Sequence, residues 1–199
     1  KVINDFTAVA LAIPGLDPKY RDQVGPGEPE VGKPIAVLGA GTGLGVSTLV
    51  PANDPPFVIL TNNEGGHFTI PPMTNRESDV LGELRLHYNH VSAERVCSGA
   101  GIENLYQAIC TLDNMPADLK NAKEITTAAM AEGSKQAVEA VDMFCAFLGT
   151  AASNLCITVG GYGGVYIAGG IVMKIEEFFL ASKFRKRFET KGRFSNYLE

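Results

Sequence analysis

Acidic residues and one histidine stand beside glycines near the end of an apolar run. The segment "EGGH" places Glu64 and His67 three residues apart around two glycines, shortly after "FVILT". A carboxylate accepts hydrogen bonds from two hydroxyls at once, and a neutral imidazole donates at one nitrogen and accepts at the other. The pair therefore suits a polyhydroxylated ligand, with a plain surface turn as the alternative interpretation.

Two further carboxylates each have a structural and a chemical interpretation. Asp5 in "INDF" precedes an apolar helix, so it is either a helix N-cap or a base that takes a hydroxyl proton during phosphoryl transfer. Glu94 in "HVSAERV" lies two residues after Ser92, a candidate N-cap, where its charge would favour a helix N-terminus. Neither residue alone decides between the two interpretations.

Four glycines lie within the seven residues "GAGTGLG", 39 to 45, between the strand-like runs "PIAVLG" and "GVSTLV". A Walker A loop and a GxGxxG dinucleotide loop both fail on spacing, because the sixth position from Gly39 is Leu44. Both loops also open a helix, whereas the β-branched run predicts a second strand. We therefore predict a hairpin that either holds a phosphate on its backbone N–H groups and the Thr42 hydroxyl or uses its glycines for turn geometry alone.

Strands and helices alternate along the chain, which predicts an α/β fold. Residues 17–33, rich in proline and glycine, are predicted to be a loop. The predicted strands are "PIAVLG", "GVSTLV", "FVILT" and a buried "GGVYIAGGI". The predicted helices are "FTAVALAI", one capped by Asn75, a short one capped by Ser92, "GIENLYQAIC", "ITTAAMAEG", 134–158 and "IEEFFLASKFRKRFE".

Composition limits the compartment and the partners. The apolar run from Met143 has the length of a membrane span, but its Thr and Ser residues and Asn154 favour a buried core helix. The net charge of −5 argues against nucleic acid or an anionic membrane as the main partner. Without metal-ligand spacing, the cysteines are predicted to be buried reduced thiols, which fits the cytoplasm; they are Cys97, Cys110, Cys145 and Cys156. The basic run from Lys183 to Arg193 is predicted to be a solvated helix face.

Several blocks together resemble the bacterial-type ATP-dependent glucokinase family. They are "INDFTAVALAIPGL", "KPIAVLGAGTGLGVSTLV", "EGGHF", "HVSAERVCSGAGIENLYQAI" and "GGVYIAGGIV…FRKRFETKGRF", in the family's order. The resemblance implies the actin-like, ribonuclease-H-like ATPase fold, here mainly its larger domain, a mixed sheet flanked by helices. It also implies transfer of the ATP γ-phosphoryl group to the 6-hydroxyl of glucose with Mg²⁺, the first step of glycolysis.

The resemblance also implies roles for particular residues. Asp5 would be the catalytic base, and the sugar would be held by Asn4, Glu64, His67 and Glu94. The nucleotide would lie against Gly41, Thr42, Gly43, Gly169 and Gly170. No residue is assigned to a metal. Family members are often dimers, so a homodimer is the candidate assembly.

Some positions depart from the family's pattern. Asn62-Asn63 stand where a proline and a small residue usually precede EGGH, and Ala100 replaces the proline of an SGPG-like turn. Both lie near sugar-binding segments, so the resemblance determines the type of reaction better than the selectivity for one sugar. The chain begins at Lys1 and has no DxGGT-type phosphate hairpin, so we expect a piece of a longer protein, truncated at both ends and with little kinase activity alone. Residues 1–20 would end the smaller domain, and 21–199 would form the larger one.

Other functions compete with this interpretation. One is another hexose kinase of the same fold, although the cysteine-rich zinc motif CxCGxxGC of one such group is absent. Another is a catalytically silent sugar-binding regulator, which would not need Asp5 as a base. A dinucleotide enzyme is disfavoured by the glycine spacing.

Overall fold

A mixed sheet forms the centre of the molecule. The computed structural model describes residues 5–53, 57–59 and 64–199, so Asn4 and Asn62-Asn63 lie outside the described residues. The strands are β1 (Ile35–Ala40), β2 (Leu44–Pro51), β3 (Phe57–Ile59) and β4 (Val165–Ala168). Their order is β3-β2-β1-β4, in which β1 pairs with β2 and β2 with β3 antiparallel, while β1 and β4 are parallel. The predicted α/β class with a mixed sheet is confirmed.

Helices surround this sheet. The described helices are α1 (Asp5–Ala12), α2 (Asn75–Arg85), α3 (Gly99–Leu112), α4 (Ala122–Met130), α5 (Lys135–Val159), α6 (Gly170–Lys174), α7 (Glu176–Ala181), α8 (Phe184–Glu189) and α9 (Ser195–Leu198). Side chains cap several N-termini: Thr74 accepts from the Glu77 N–H, Ser98 from the Gly101 N–H and Ser134 from the Ala137 N–H. Thr74, one residue before the predicted Asn75, is therefore the cap of α2.

Alternation along the strands sends side chains to two different cores. On one face Leu38, Ala40, Leu44 and Val46 join the large core built with α2 to α5. On the other face Ile35, Val37 and Leu49 pack with Ala10 and Ile13 from α1 and the residue after it. The period of two in each strand produces this division. As a result, α1 is fixed to the opposite side of the sheet from the helical core.

Helix α5 runs through the centre of the large core. Its 25 residues begin after the Ser134 cap and end at Val159, before Gly160, which has φ +68°. By length and composition alone α5 could cross a membrane, but 78% of its apolar window is buried inside the protein. The predicted core helix is confirmed, and the four cysteines are free and buried as predicted.

The C-terminal basic run differs from the solvated helix face that was predicted. At Gly149 of α5 an added Cβ would lie 2.6 Å from the carbonyl oxygen of Phe184, so α8 crosses α5 at close range. This approach buries Arg187, whose guanidinium pairs with the Glu77 carboxylate and lies 3.3 Å from the Thr150 hydroxyl. Burial of an arginine is tolerated because its charge is paired and hydrogen-bonded.

Three other predicted elements are also corrected. The final helix is broken into α7 and α8 at Ser182 and Lys183, where the Lys183 N–H donates to Asp142 over 3.2 Å. No helix follows Ser92, which instead forms an isolated antiparallel bridge with Thr69. Strand β4 is half-buried rather than buried, because it ends the described order of strands.

Replacing Arg187 tests how much the fold depends on its buried ion pair. We expect Arg187→Met to lower the free energy of unfolding by about 3–5 kcal/mol, because it leaves the Glu77 carboxylate buried without its cation. Lys183→Met is the matched control, since that ion pair with Asp142 has a 66% exposed lysine and is worth about 0–1 kcal/mol. Urea unfolding measures the free energy of unfolding of both variants. Equal losses would contradict the larger contribution assigned to the buried ion pair.

Candidate active site

The predicted strand–glycine–strand hairpin is present, and the outer two of its four glycines leave room for an aromatic ring. Gly39 of β1 lies opposite Gly45 of β2. A Cβ added to Gly39 would meet the Phe6 ring at 2.2 Å, and one added to Gly45 would meet it at 2.4 Å. Phe6 follows Asp5, whose Oδ1 accepts the Phe6 N–H over 2.7 Å at the start of α1. The exposed Asp5 carboxylate is thereby fixed relative to the hairpin.

The tip of the hairpin presents free backbone donors. The Gly41 N–H donates to the Gly43 carbonyl over 2.9 Å, and the Gly41 carbonyl accepts the Gly99 N–H over 2.9 Å. Among the described residues, no acceptor is found for the N–H groups of Thr42 and Gly43. Thr42 is exposed, and a Cβ at Gly41 would meet nothing within 4 Å. Two adjacent free N–H groups and a hydroxyl are what an anion requires.

Glu94 is bound directly to this tip. Its Oε2 accepts the Leu44 N–H over 3.0 Å, and a Cβ added to Gly43 would lie 2.5 Å from the same oxygen. Because no helix follows Ser92, the interpretation of Glu94 as a helix N-terminal charge is wrong. The carboxylate instead supports the hairpin through one oxygen.

The EGGH segment lies against the same strand. Residues Gly65–His67 form a 3-10 turn, and the Gly66 carbonyl accepts the Glu94 N–H over 2.9 Å. A Cβ added to Gly66 would lie 2.2 Å from the Leu44 carbonyl oxygen, so this glycine is required by close packing. His67 Nε2 lies 3.8 Å from Glu64 Oε2, and their side chains are 55% and 85% exposed. Both polar groups therefore face solvent, and their segment is joined to Glu94 through the Gly66 carbonyl.

The two later glycines reach the hairpin from β4. Because β4 is parallel to β1, with Ala168 opposite Gly39, both strands end at the same edge of the sheet. Gly169 has φ +95°, and a Cβ there would lie 2.3 Å from the Ala40 carbonyl oxygen. Gly170 begins α6, and its Cβ position is open. In open α/β sheets, ligands bind beyond the carboxyl ends of parallel strands.

Other candidate chemistry is absent from the described part of the chain. No group of three or more His, Cys, Asp or Glu side chains in that part could hold a metal ion. Burial raises the pKa of Cys145 to about 12 and that of Cys156 to about 11, so these thiols stay protonated. A groove of about 420 Å³ beside α2 and α3 is lined by Glu83, His87 and six other residues, none of them a predicted site residue. The candidate site is thus an open surface around the hairpin.

Sequence reasoning missed the residues that support the site. Phe6, Leu44 and Gly66 hold the pieces together but carry no group with evident chemistry. One available signal was the symmetry of "GAGTGLG", in which the glycines at 39 and 45 and those at 41 and 43 flank Thr42 equally. In a hairpin centred on Thr42, this symmetry places Gly39 opposite Gly45.

Comparison with known proteins gives one family. The glucokinase family model matches residues 1–199. The glucokinase of Escherichia fergusonii is 50% identical over 199 residues, and the match covers all of this chain and 61% of that protein. The chain thus spans about 61% of the length of the curated glucokinases that it matches.

Solved structures agree with the fold. The crystal structure of glucokinase from an Antarctic psychrotroph has a TM-score of 0.91 and 36% identity, covering 98% of this chain and 60% of that one. A ROK family glucokinase from Streptomyces griseus, solved with glucose and AMPPNP, has a TM-score of 0.54 and 16% identity over 80% of this chain and 52% of that one. The second likeness concerns the fold alone. Together the likenesses confirm the actin-like ATPase fold that the resemblance implied.

Two glycines of the hairpin tip provide a matched test of its geometry. We expect Gly43→Ala to lower the free energy of unfolding by about 1–3 kcal/mol, because its methyl would displace Glu94. Gly41→Ala should change it by less than about 0.5 kcal/mol, since its Cβ position is empty. Chemical denaturation measures both, and equal effects would contradict the close contact between Gly43 and Glu94.

Proposed function

Because this chain belongs to the glucokinase family, we propose that the full-length protein transfers the γ-phosphoryl group of ATP to the 6-hydroxyl of glucose. The observation that carries the proposal is that one hairpin supports both the candidate phosphate site and the candidate sugar site. Its tip offers free N–H groups to a phosphate, while Glu94 beside it joins the EGGH turn. The cytoplasm is the proposed compartment, consistent with four free, buried thiols.

Asp5 is the proposed base. Its carboxylate is exposed at the first turn of α1, where a negative charge is favoured by the helix N-terminus. In the reaction, the sugar 6-hydroxyl gives its proton to Asp5 while its oxygen forms a bond to the γ-phosphorus. The bond from that phosphorus to the β–γ bridging oxygen breaks, and ADP leaves. Because the transition state is loose, the carboxylate mainly orients the alcohol and accepts its proton.

Glucose is the proposed ligand of the carboxylate cluster. Glu64, His67 and Glu94 would hold its remaining hydroxyls, together with Asn4. One oxygen of Glu94 is occupied by the Leu44 N–H, which leaves Oε1 for the sugar. Another hexose would suit the same acceptors. Binding measurements with glucose and with mannose would distinguish a site selective for glucose from one that accepts another hexose.

ATP is the proposed phosphoryl donor. Thr42 and Gly43 would donate to its phosphates, with Gly41 allowing close approach and Gly169-Gly170 lying against the adenosine. The chemistry of the hairpin fits phosphate oxygens, because the N–H groups of Thr42 and Gly43 have no acceptor among the described residues and a Cβ at Gly41 would meet nothing within 4 Å. Mg²⁺ would arrive with the nucleotide and neutralise charge on the phosphates.

Closure is proposed to complete the site. Glu64 and His67 are largely exposed, and in water a phosphoryl group would be lost to hydrolysis. Sugar binding would therefore draw the two domains together over the open surface. The division between a segment 1–20 and a larger domain 21–199 remains a prediction, as does a homodimer.

Asp5→Asn in the full-length protein tests the reaction. We expect kcat to fall by about 10²–10⁴-fold because the amide cannot accept the proton, while the Kd for glucose is unchanged. Asp17→Asn is the matched control, because Asp17 is an exposed aspartate that caps the turn at Pro18–Tyr20. A coupled ADP assay measures kcat, and calorimetry with glucose measures Kd. Unchanged turnover would remove Asp5 from the mechanism, and glucose binding with no kinase activity in the unmodified protein would favour a silent regulator.

Glu94→Gln separates sugar binding from hairpin support. The amide oxygen still accepts the Leu44 N–H, so stability should be kept, but loss of the charged acceptor should raise KM for glucose by about 10–100-fold. Glu94→Leu should in addition lower the free energy of unfolding by about 1–3 kcal/mol, because the buried Leu44 N–H loses its acceptor. Glu103→Gln, whose carboxylate accepts the Ala122 N–H, is the control. If Glu94→Gln leaves KM unchanged, Glu94 only supports the hairpin.

A further inference from the structure

The paired glycines of the hairpin form a slot for one ring. Residues directly opposite in an antiparallel pair carry Cβ atoms on the same face, about 5 Å apart. At Gly39 and Gly45 both Cβ atoms are missing, and the Phe6 ring occupies the space. Its Cε2 lies 2.2 Å from the Cβ position of Gly39, and its Cγ lies 2.4 Å from that of Gly45. Any larger residue at either position would displace the ring.

Backbone conformation does not explain these glycines. Neither Gly39 nor Gly45 has a positive φ, so an L-residue would adopt the same backbone without strain. A glycine inside a strand also loses side-chain packing and costs conformational entropy. The contact with Phe6 explains why both opposing positions are glycine despite this cost.

The ring is one residue from the proposed base. The Phe6 N–H donates to Asp5 Oδ1, so the first turn of α1 couples the ring to the carboxylate. Farther along, α1 is held through Ala10, which packs in the second core with Ile35 and Leu49. The ring in its slot therefore fixes the end of α1 that carries Asp5, while Ala10 fixes the other end.

We propose that Phe6 is a positioning residue, which holds the Asp5 carboxylate for proton transfer by seating its ring in the slot between Gly39 and Gly45. The inference rests on the proposed function of Asp5 as the base. It assigns to Gly39 and Gly45, the outer pair of hairpin glycines, a role in placing the base. This role is separate from the phosphate role proposed for the tip.

A double-mutant cycle on the full-length protein tests the proposal. Phe6→Ala should lower kcat by about 10–100-fold and change the Kd for glucose by much less, because Glu64, His67 and Glu94 stay in place when the start of α1 is displaced. In the Asp5→Asn background, Phe6→Ala should cause no further loss, since there is no base left to position. Val9→Ala, on the exposed side of the same helix, is the control for general effects on α1.

The slot is tested from its other side. Gly45→Ala should reproduce the loss of kcat, because the methyl group takes the place of the ring. Combined with Phe6→Ala it should add little, since the ring that it displaces is already absent. If Phe6→Ala does not fold, Gly45→Ala, which displaces the ring without removing it, takes its place in the same cycle with Asp5→Asn.

Each outcome decides one claim. If Asp5→Asn leaves kcat unchanged, the proposed base fails, and the positioning role fails with it. If Asp5→Asn lowers kcat but the Phe6 variant lowers it by the same factor in both backgrounds, Asp5 stands and the positioning role is overturned. An unchanged kcat in the Phe6 variant, or a loss confined to thermal stability, also overturns it.

Discussion

The structure depends on side chains that approach the β1–β2 hairpin closely at its glycines, which carry no side chain of their own. Phe6 rests on Gly39 and Gly45, and the Glu94 carboxylate lies 2.5 Å from the position that a Cβ of Gly43 would take. Because backbone atoms and fixed side chains meet there at van der Waals distance, a displacement of about an ångström at the hairpin would move several candidate groups together. The hairpin is therefore the common reference for the proposed base, the sugar ligands and the phosphate donors.

The large core keeps this reference rigid. Its central helix α5 is packed against α3, α4 and α8, and the buried pair of Arg187 and Glu77 ties α8 to α2. The N-terminus of α3 in turn donates to the carbonyl of Gly41. The helical layer thus supports the hairpin through this backbone hydrogen bond, and the candidate functional groups remain on the open surface.

Glu94 shows how a structural role is compatible with a proposed chemical role in one side chain. One carboxylate oxygen satisfies a backbone N–H of β2, and the other is available to a ligand. Asp5 has the same character, because it begins a helix and accepts the next N–H while its carboxylate is exposed. A local role for such a residue therefore does not argue against a functional one.

The sequence by itself determined the α/β class, the hairpin, the core helix and the family, because periodicity, glycine spacing and ordered motifs are local properties of the chain. Tertiary structure alone decided that Phe6 fills the slot, that Glu94 supports β2 rather than a helix, and that Arg187 is buried. Each of these contacts joins residues more than thirty positions apart. Periodicity and propensity are read within a short window of sequence, whereas which distant side chain reaches a given space depends on the packing of whole elements.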